Sequence, residues 1–181
     1  MTLRYSCWTF ISLALLLAGL GVYSIGGMKV VPLLSAADLG IHEFSHLVAI
    51  PFGETAHFLA GSIGQVLLPL LLSAAALYQR QYPAAVFCLG WAGLSAIGVA
   101  IYVADAQAQA LPLLGGGTHD WAWILGHYGA LERARDLADR IRIGAGVLVS
   151  VAVLWALYLS HVRPTPGGRG EREPEWESPY K

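Results

Sequence analysis

Charged residues and cysteines are both scarce in this chain. Only 13% of the 181 residues are Asp, Glu, Lys or Arg, whereas a soluble domain has about 25%. The net charge is −1, so nothing in the sequence indicates a nucleic-acid partner. The two cysteines, Cys7 and Cys88, both lie in apolar segments and give no support to a disulfide framework or a cysteine-rich zinc site. These shortages exclude a soluble globular protein and indicate an integral membrane protein.

Apolar residues make up 56% of the chain. Five apolar segments are long enough to cross a bilayer, which takes about 20 residues. They cover approximately residues 8–28, 31–50, 58–78, 83–104 and 143–160. We therefore predict an all-α, polytopic helical bundle within the lipid bilayer. The first segment resembles a signal peptide, but its apolar run is long enough to span, and we expect an uncleaved first span.

The chain divides into residues 1–161, a membrane-embedded helical domain, and residues 162–181, a tail rich in Glu and Pro that we expect to be disordered. Residues 130–142 carry an apolar stripe with charges elsewhere, which predicts an interfacial helix running into the last span. The arginines between Arg133 and Arg142 favour the cytoplasmic side for that end. Nine Arg against two Lys, with much Ala, Gly and Leu, indicate a GC-rich bacterial or archaeal genome. We therefore expect an integral protein of the inner (cytoplasmic) membrane of a prokaryotic cell.

The second apolar segment contains the pattern His-Glu-Phe-Ser-His, an instance of H-E-x-x-H. On a helix, His42 and His46 lie on one face about one turn apart, where they can hold one Zn²⁺. Glu43 is then placed to take a proton from a water molecule bound to the metal. Ionisable groups inside a bilayer are disfavoured unless they face the protein interior and have a function. Zinc is therefore the predicted cofactor.

A catalytic zinc site needs a third protein ligand. The candidates are Asp38, Glu54, His57, His119 and Asp120. Asp38 lies too far along its helix to share one metal with both histidines, so we expect it to support a ligand by hydrogen bonding. His119 and Asp120 are the best candidates because they follow three glycines and begin a helix. His119 is preferred as the ligand. Asp120 would then orient one of the liganding histidines by a hydrogen bond to its ring, without binding the metal itself.

The helix that carries His119 and Asp120 is predicted to run from the N-cap Thr118 to about Tyr128. Such a helix is too short to span the membrane, so it is expected to be re-entrant or interfacial. Trp121 and Trp123 are predicted to anchor it near the membrane interface.

Residues 41–65 resemble the core of the site-2 protease family of intramembrane zinc metalloproteases. That family has H-E-x-x-H in one membrane helix, a motif like A-G-P-x-x-N in the next, and an Asp from a later L-D-G motif as third zinc ligand. Here the first motif matches fully. Residues 60–65 read A-G-S-I-G-Q, with Ser for Pro and Gln for Asn, and their small residues allow close helix approach. Residues 117–121 (G-T-H-D-W) stand where the third-ligand motif is expected.

The resemblance, which covers about a third of the chain, implies zinc bound by His42 and His46, Glu43 as general base and Gln65 in contact with substrate. The predicted activity is hydrolysis of peptide bonds in a membrane protein or peptide substrate. The alternative is a non-catalytic, metal-binding scaffold or subunit of a larger complex with the same fold, and the spans are compatible with an oligomer.

A haem-binding electron carrier is disfavoured, because two histidines on one helix face cannot lie on opposite sides of one haem. It would need a partner from His119, His127 or His161.

Overall fold

The computed structural model describes residues 5–113 and 117–162, and within those ranges the chain is helical without strands. The helices are α1 (Cys7–Gly27), α2 (Pro32–Ala49), α3 (Glu54–Tyr78), α4 (Tyr82–Ala104), α5 (Asp120–His127) and α6 (Ala134–Val162). Short 3₁₀ turns, Ile50–Phe52 and Leu131–Arg133, precede α3 and α6. The predicted all-α helical bundle is confirmed.

Four helical segments in the described residues are long and apolar enough to cross a membrane: α1, α3, α4 and the stretch Leu131–Val162 that contains α6. The prediction of five spans therefore has to be corrected. The difference is α2, which forms a helix of 18 residues but is not one of the four. Its four ionisable side chains, from Asp38 to His46, lower its hydropathy and leave it dependent on the other helices for burial.

Helices α2 and α3 pack against each other as an antiparallel pair. Pro32 occupies the first turn of α2. A backbone N–H at this position has no hydrogen-bond partner within the helix, so proline is tolerated there. Pro51 lies in the 3₁₀ turn that follows, and Gly53 then adopts φ 91°, a backbone conformation that other residues disfavour. The sharp reversal at Gly53 returns α3 alongside α2, so that residues of one helix face residues of the other.

Helix α4 is the centre of the bundle and packs against α6, α3 and α1. Small residues allow this close packing. A Cβ atom on Gly93 would lie 2.7 Å from Val149 Cγ2 on α6, and one on Gly90 would lie 2.5 Å from a methyl group of Leu17 on α1. Close approach of backbones at small residues is a principal source of helix association in membranes.

The C-terminal end of α4 meets the N-terminal ends of α3 and α6, and α5 packs at this same end. A shared apolar cluster joins them, with Val103 and Trp121 among its buried members. The N-cap of α5 is His119 rather than the predicted Thr118: its side chain accepts a hydrogen bond from the Ala122 N–H. With eight residues, α5 is too short to span the membrane, as expected.

The predicted helix at residues 130–142 is present as the first part of α6, preceded by the 3₁₀ turn. It continues without a break to Val162, so that one helix of 29 residues contains both the charged segment and the apolar segment. The predicted tail lies outside the described residues, except for Val162, which ends α6.

Candidate metal centre

Helices α2 and α5 bring together three side chains that could hold a metal ion: His42, His46 and Asp120. One ligand atom from each lies within 4.8 Å of the others. Asp120 Oδ2 is 2.9 Å from His42 Nε2 and 3.2 Å from His46 Nε2. His42 and Asp120 are buried and His46 is half-buried. Two imidazole nitrogens and one carboxylate oxygen make a donor set typical of catalytic zinc sites.

The two histidines meet because they lie one turn apart on the inner face of α2. Their ring centroids are 4.7 Å apart, and both Nε2 atoms converge on the same carboxylate oxygen. Asp120 lies 78 positions after His42 and reaches it only through the packing of α5 against the other helices.

Hydrogen bonds on the far side of each ring orient the histidines. His42 Nδ1 lies 2.9 Å from Gln65 Oε1, and His46 Nδ1 lies 2.7 Å from the backbone oxygen of His57. Both oxygens can only accept, so each Nδ1 carries a proton. In the neutral form of each ring, Nε2 then has its lone pair available towards Asp120. This tautomer is the one that a metal ligand needs, and a carbonyl partner that fixes it is typical of metal-binding histidines.

Gln65 is buried between α2 and α4. Its Nε2 donates to the backbone oxygen of Ser95 at 3.2 Å, which turns its Oε1 towards His42. These contacts give Gln65 a role in orienting a histidine. The contact with substrate that the resemblance implies for Gln65 stays a prediction.

Asp38 is also buried, one turn before His42 on α2, and lies outside the group of three donors. Its Oδ1 accepts hydrogen bonds from Trp91 Nε1 and from Ser95 Oγ, both at 2.8 Å. Ser95 therefore contacts Asp38 through its hydroxyl and Gln65 through its carbonyl. This polar network connects α4 to α2 and, through Gln65, to the ring of His42.

His119, which the sequence analysis preferred as third ligand, does not lie beside the two histidines, so that preference is corrected in favour of Asp120. Its Nδ1 accepts from the Ala122 N–H at 3.3 Å, and its Nε2 lies 3.5 Å from Asp105 Oδ2. As an N-cap residue, His119 has extended backbone angles (φ −69°, ψ 113°), and its side chain folds back over the first turn of α5. Burial lowers the pKa of the His119 imidazole, with the Asp105 carboxylate acting in the opposite direction.

Tyr102 on α4 holds the segment that carries Asp120. Its ring stacks on His119, with the centroids 4.1 Å apart, and its hydroxyl accepts from the Asp120 N–H at 3.1 Å. The sequence analysis missed this residue because a tyrosine near the end of an apolar span has no signature of its own. The structure thus places Tyr102 directly behind a donor of the metal centre.

The two tryptophans of α5 both contact side chains of α3. Trp121 is buried, and its Nε1 donates to Ser62 Oγ at 2.9 Å, while the half-buried Trp123 stacks on Phe58. The predicted role of Trp121 as an interface anchor is therefore corrected. Its ring joins α5 to α3, and this contact fixes the position of Asp120 along α2.

Helix α3 passes so close to the metal centre that only glycine fits at position 61. A Cβ atom on Gly61 would lie 2.5 Å from His42 Nε2 and 2.6 Å from His46 Nε2. One turn later, a Cβ atom on Gly64 would collide with Ser45 Oγ on α2. Gly61 is seven residues from the start of α3, so the site lies about 10 Å along that candidate span.

Glu43 follows His42 on α2 and is exposed, without a hydrogen-bond partner among residues 5–113 and 117–162. Two other candidates from the sequence analysis lie outside the group of three donors. His57 Nδ1 donates to the backbone oxygen of His46 at 3.0 Å, and Glu54 is exposed in the first turn of α3. Glu43 is thus an exposed carboxylate that follows one of the converging donors in the sequence.

The remaining histidines belong to other surroundings. His127 is exposed and stacks on Trp123, and His161 is exposed near the end of α6. A haem needs two imidazoles on opposite sides of its iron. Neither histidine forms such a pair with His42 or His46, whose Nε2 atoms both face one oxygen of Asp120.

No family model, no curated protein and no solved structure matches this chain. The arrangement of two imidazoles and one carboxylate is suited to hold a divalent cation.

Proposed function

We propose that this protein is a membrane-embedded zinc metallopeptidase that hydrolyses peptide bonds of membrane protein or peptide substrates. The observation that carries the proposal is the convergence of His42, His46 and Asp120, together with the exposed Glu43 that follows His42 on α2. Zinc is favoured because it takes nitrogen and oxygen ligands and needs three from the protein to leave a position open. The His-His-Asp set is also the one that the resemblance to site-2 proteases implies.

In the proposed hydrolysis, different residues bind the metal, transfer the proton and orient the imidazoles. A zinc ion bound at the three donors would act as a Lewis acid towards the scissile carbonyl and increase the acidity of water. Glu43 accepts a proton from the attacking water and delivers it to the nitrogen of the leaving amine. Gln65 and the His57 carbonyl keep the imidazoles in the ligand tautomer throughout.

The surroundings of the site support a substrate within the membrane. The donors lie about 10 Å along candidate span α3, within the length of a helix that can cross the membrane. Large apolar side chains on α2 near Glu43 are exposed, among them Phe44 and Leu47. An apolar polypeptide segment could therefore approach Glu43 along α2 without leaving an apolar environment.

The test compares three forms of the purified protein in lipid nanodiscs. Wild type should bind one zinc ion per chain by elemental analysis and cleave a panel of transmembrane peptides. Glu43→Gln should keep the zinc and lose cleavage, because a proton acceptor is removed but no donor. His46→Ala should lose both.

Glu54→Gln is the matched control, since Glu54 is also an exposed glutamate, in the first turn of α3, but lies outside the donor group. It should cleave like wild type. Cleavage by Glu43→Gln at the wild-type rate, or an absence of stoichiometric metal in wild type, would contradict the proposal.

A second candidate function is a metal-binding scaffold without catalysis. One observation favours it: the network of Asp38, Ser95, Gln65 and His42 fastens α2 to α3 and α4, so that a metal could serve to complete this assembly. Stoichiometric zinc in wild type, with no cleavage of any peptide and with lower thermal stability after chelation, would select this function over the peptidase.

A further inference from the structure

A cavity of about 270 Å³ lies at the junction of α5 and α6, outside the metal centre. It is lined by Leu125, Ala130, Arg133, Asp136, Leu137 and Arg140. Leu125 is buried, and Ala130 and Leu137 are half-buried, so the floor of the cavity is apolar. The three charged residues are exposed and form its rim. We name this cavity the α5–α6 groove.

The rim of the groove carries a net positive charge. Arg133, Asp136 and Arg140 follow one another at intervals of three and four residues, which places them on one face of the helical segment. Two positive charges and one negative charge leave a net charge of +1. Arg140 makes no ion pair within the described part of the chain, and Arg133 is 3.8 Å from Glu132 in a highly exposed pair. Neither guanidinium is therefore committed to a strong partner.

The groove also lies at the level of the lipid headgroups. The uncharged part of α6, residues 143–162, contains 20 residues, which at about 1.5 Å each spans the roughly 30 Å of the hydrocarbon core. Arg140 precedes this part by three residues, about 5 Å along the helix. The polar layer on each side of a bilayer is about 5–8 Å thick. The Arg140 guanidinium is thus placed where phosphate groups are found.

We propose that the α5–α6 groove binds the headgroup of a singly charged anionic glycerophospholipid. Arg140 would contact the phosphodiester through two N–H groups, and Arg133 would add the second positive charge above it. The glycerol and the first acyl carbons would lie on Leu125, Ala130 and Leu137. A headgroup charge of −1 matches the net charge of the groove, whereas Asp136 disfavours a second negative charge.

The experiment measures lipid binding by native mass spectrometry of the full chain in detergent, titrated with phosphatidylglycerol, phosphatidylethanolamine or inorganic phosphate. Wild type should bind one phosphatidylglycerol in preference to phosphatidylethanolamine. Arg140→Gln should weaken phosphatidylglycerol binding about fivefold, which corresponds to the ~1 kcal/mol of one arginine at a membrane surface.

Arg135→Gln is the matched control, because it removes the same charge from the same helix at a residue that does not line the groove. It should change binding by less than about twofold. Asp136→Asn should change binding in the opposite direction and strengthen it. Because a gain cannot come from misfolding, this variant keeps the test decisive even if Arg140→Gln is unstable.

Three results would overturn the proposal: equal weakening by Arg135→Gln and Arg140→Gln, equal binding of the two lipids, or full displacement of lipid by inorganic phosphate. The last would identify a free anion as the ligand. Zinc content should be unchanged in all three variants, so the outcome here is separate from that of the proposed peptidase activity.

Discussion

Two regions of the molecule are held together by different forces. Helices α1, α4 and α6 associate through small residues, with Gly90 and Gly93 of α4 fitted against side chains of α1 and α6. Helix α2 is held by polar contacts, from Asp38 to α4 and from His42 to Gln65 on α3. The first region is a scaffold of close-packed apolar helices. The second is less apolar and carries the donors of the metal centre.

The difference follows from the environment that each region must satisfy. Lipid chains solvate apolar helices as well as other helices do, so α1, α4 and α6 gain association energy mainly from close packing. The ionisable groups of α2 and α5 are costly in lipid and must find partners within the protein. A change in packing should therefore affect the stability of the scaffold, and a change in polar contacts should affect metal binding.

The largest effect is expected when a donor itself is removed. Asp120→Ala should weaken zinc binding by more than about 100-fold, because losing a ligand costs more than losing a residue that supports one. His119→Asn should cost much less, since asparagine can also cap α5. Competition with a chromophoric chelator measures both affinities. If His119→Asn had the greater effect of the two, His119 would be the ligand and the assignment of Asp120 would fail.

Two glycine substitutions, one in each region, test whether metal binding and stability depend on different parts of the molecule. Gly61→Ala should weaken zinc binding about 10–100-fold by displacing both imidazoles, while the higher helix propensity of alanine, about 1 kcal/mol, offsets part of the overpacking cost. Gly93→Ala should cost about 1–3 kcal/mol of stability through overpacking against Val149 and the Ala145 carbonyl, with zinc affinity retained. Thermal unfolding and chelator competition on both variants provide the readout. If both variants lost zinc affinity and stability to the same extent, the two regions would be one cooperative unit.

The smallest effect on zinc affinity is expected for Tyr102, which contacts the backbone of Asp120 but provides no ligand. Tyr102→Phe removes the hydroxyl that accepts the Asp120 N–H but keeps the ring stacked on His119. One hydrogen bond is worth about 1 kcal/mol, so zinc affinity should fall about fivefold. The visible spectrum of the cobalt-substituted protein should shift as well, because the carboxylate is less well positioned. An unchanged spectrum and affinity would remove Tyr102 from the metal centre.

Much of the fold could be predicted because it depends on local sequence. Apolar runs of sufficient length predict helices in a membrane, and four of the five predicted spans meet that description in the structure. Helix α2 is the exception, since its apolar residues are interrupted by ionisable groups whose burial depends on other helices. The placement of α5 beside α2 could not be predicted, because contacts between distant segments leave no periodic signal in either one.

The sequence by itself determined that His42 and His46 share one face, because an interval of four residues is one helical turn whatever surrounds the helix. Tertiary structure alone decided which neighbour completes the group. His119 is the N-cap of α5, with an extended backbone, and Asp120 is the first helical residue, so the two side chains point in different directions. The capping of α5 by His119, its stacking on Tyr102 and the bond from Trp121 to Ser62 set the rotation of α5, and that rotation turned Asp120 towards the two histidines.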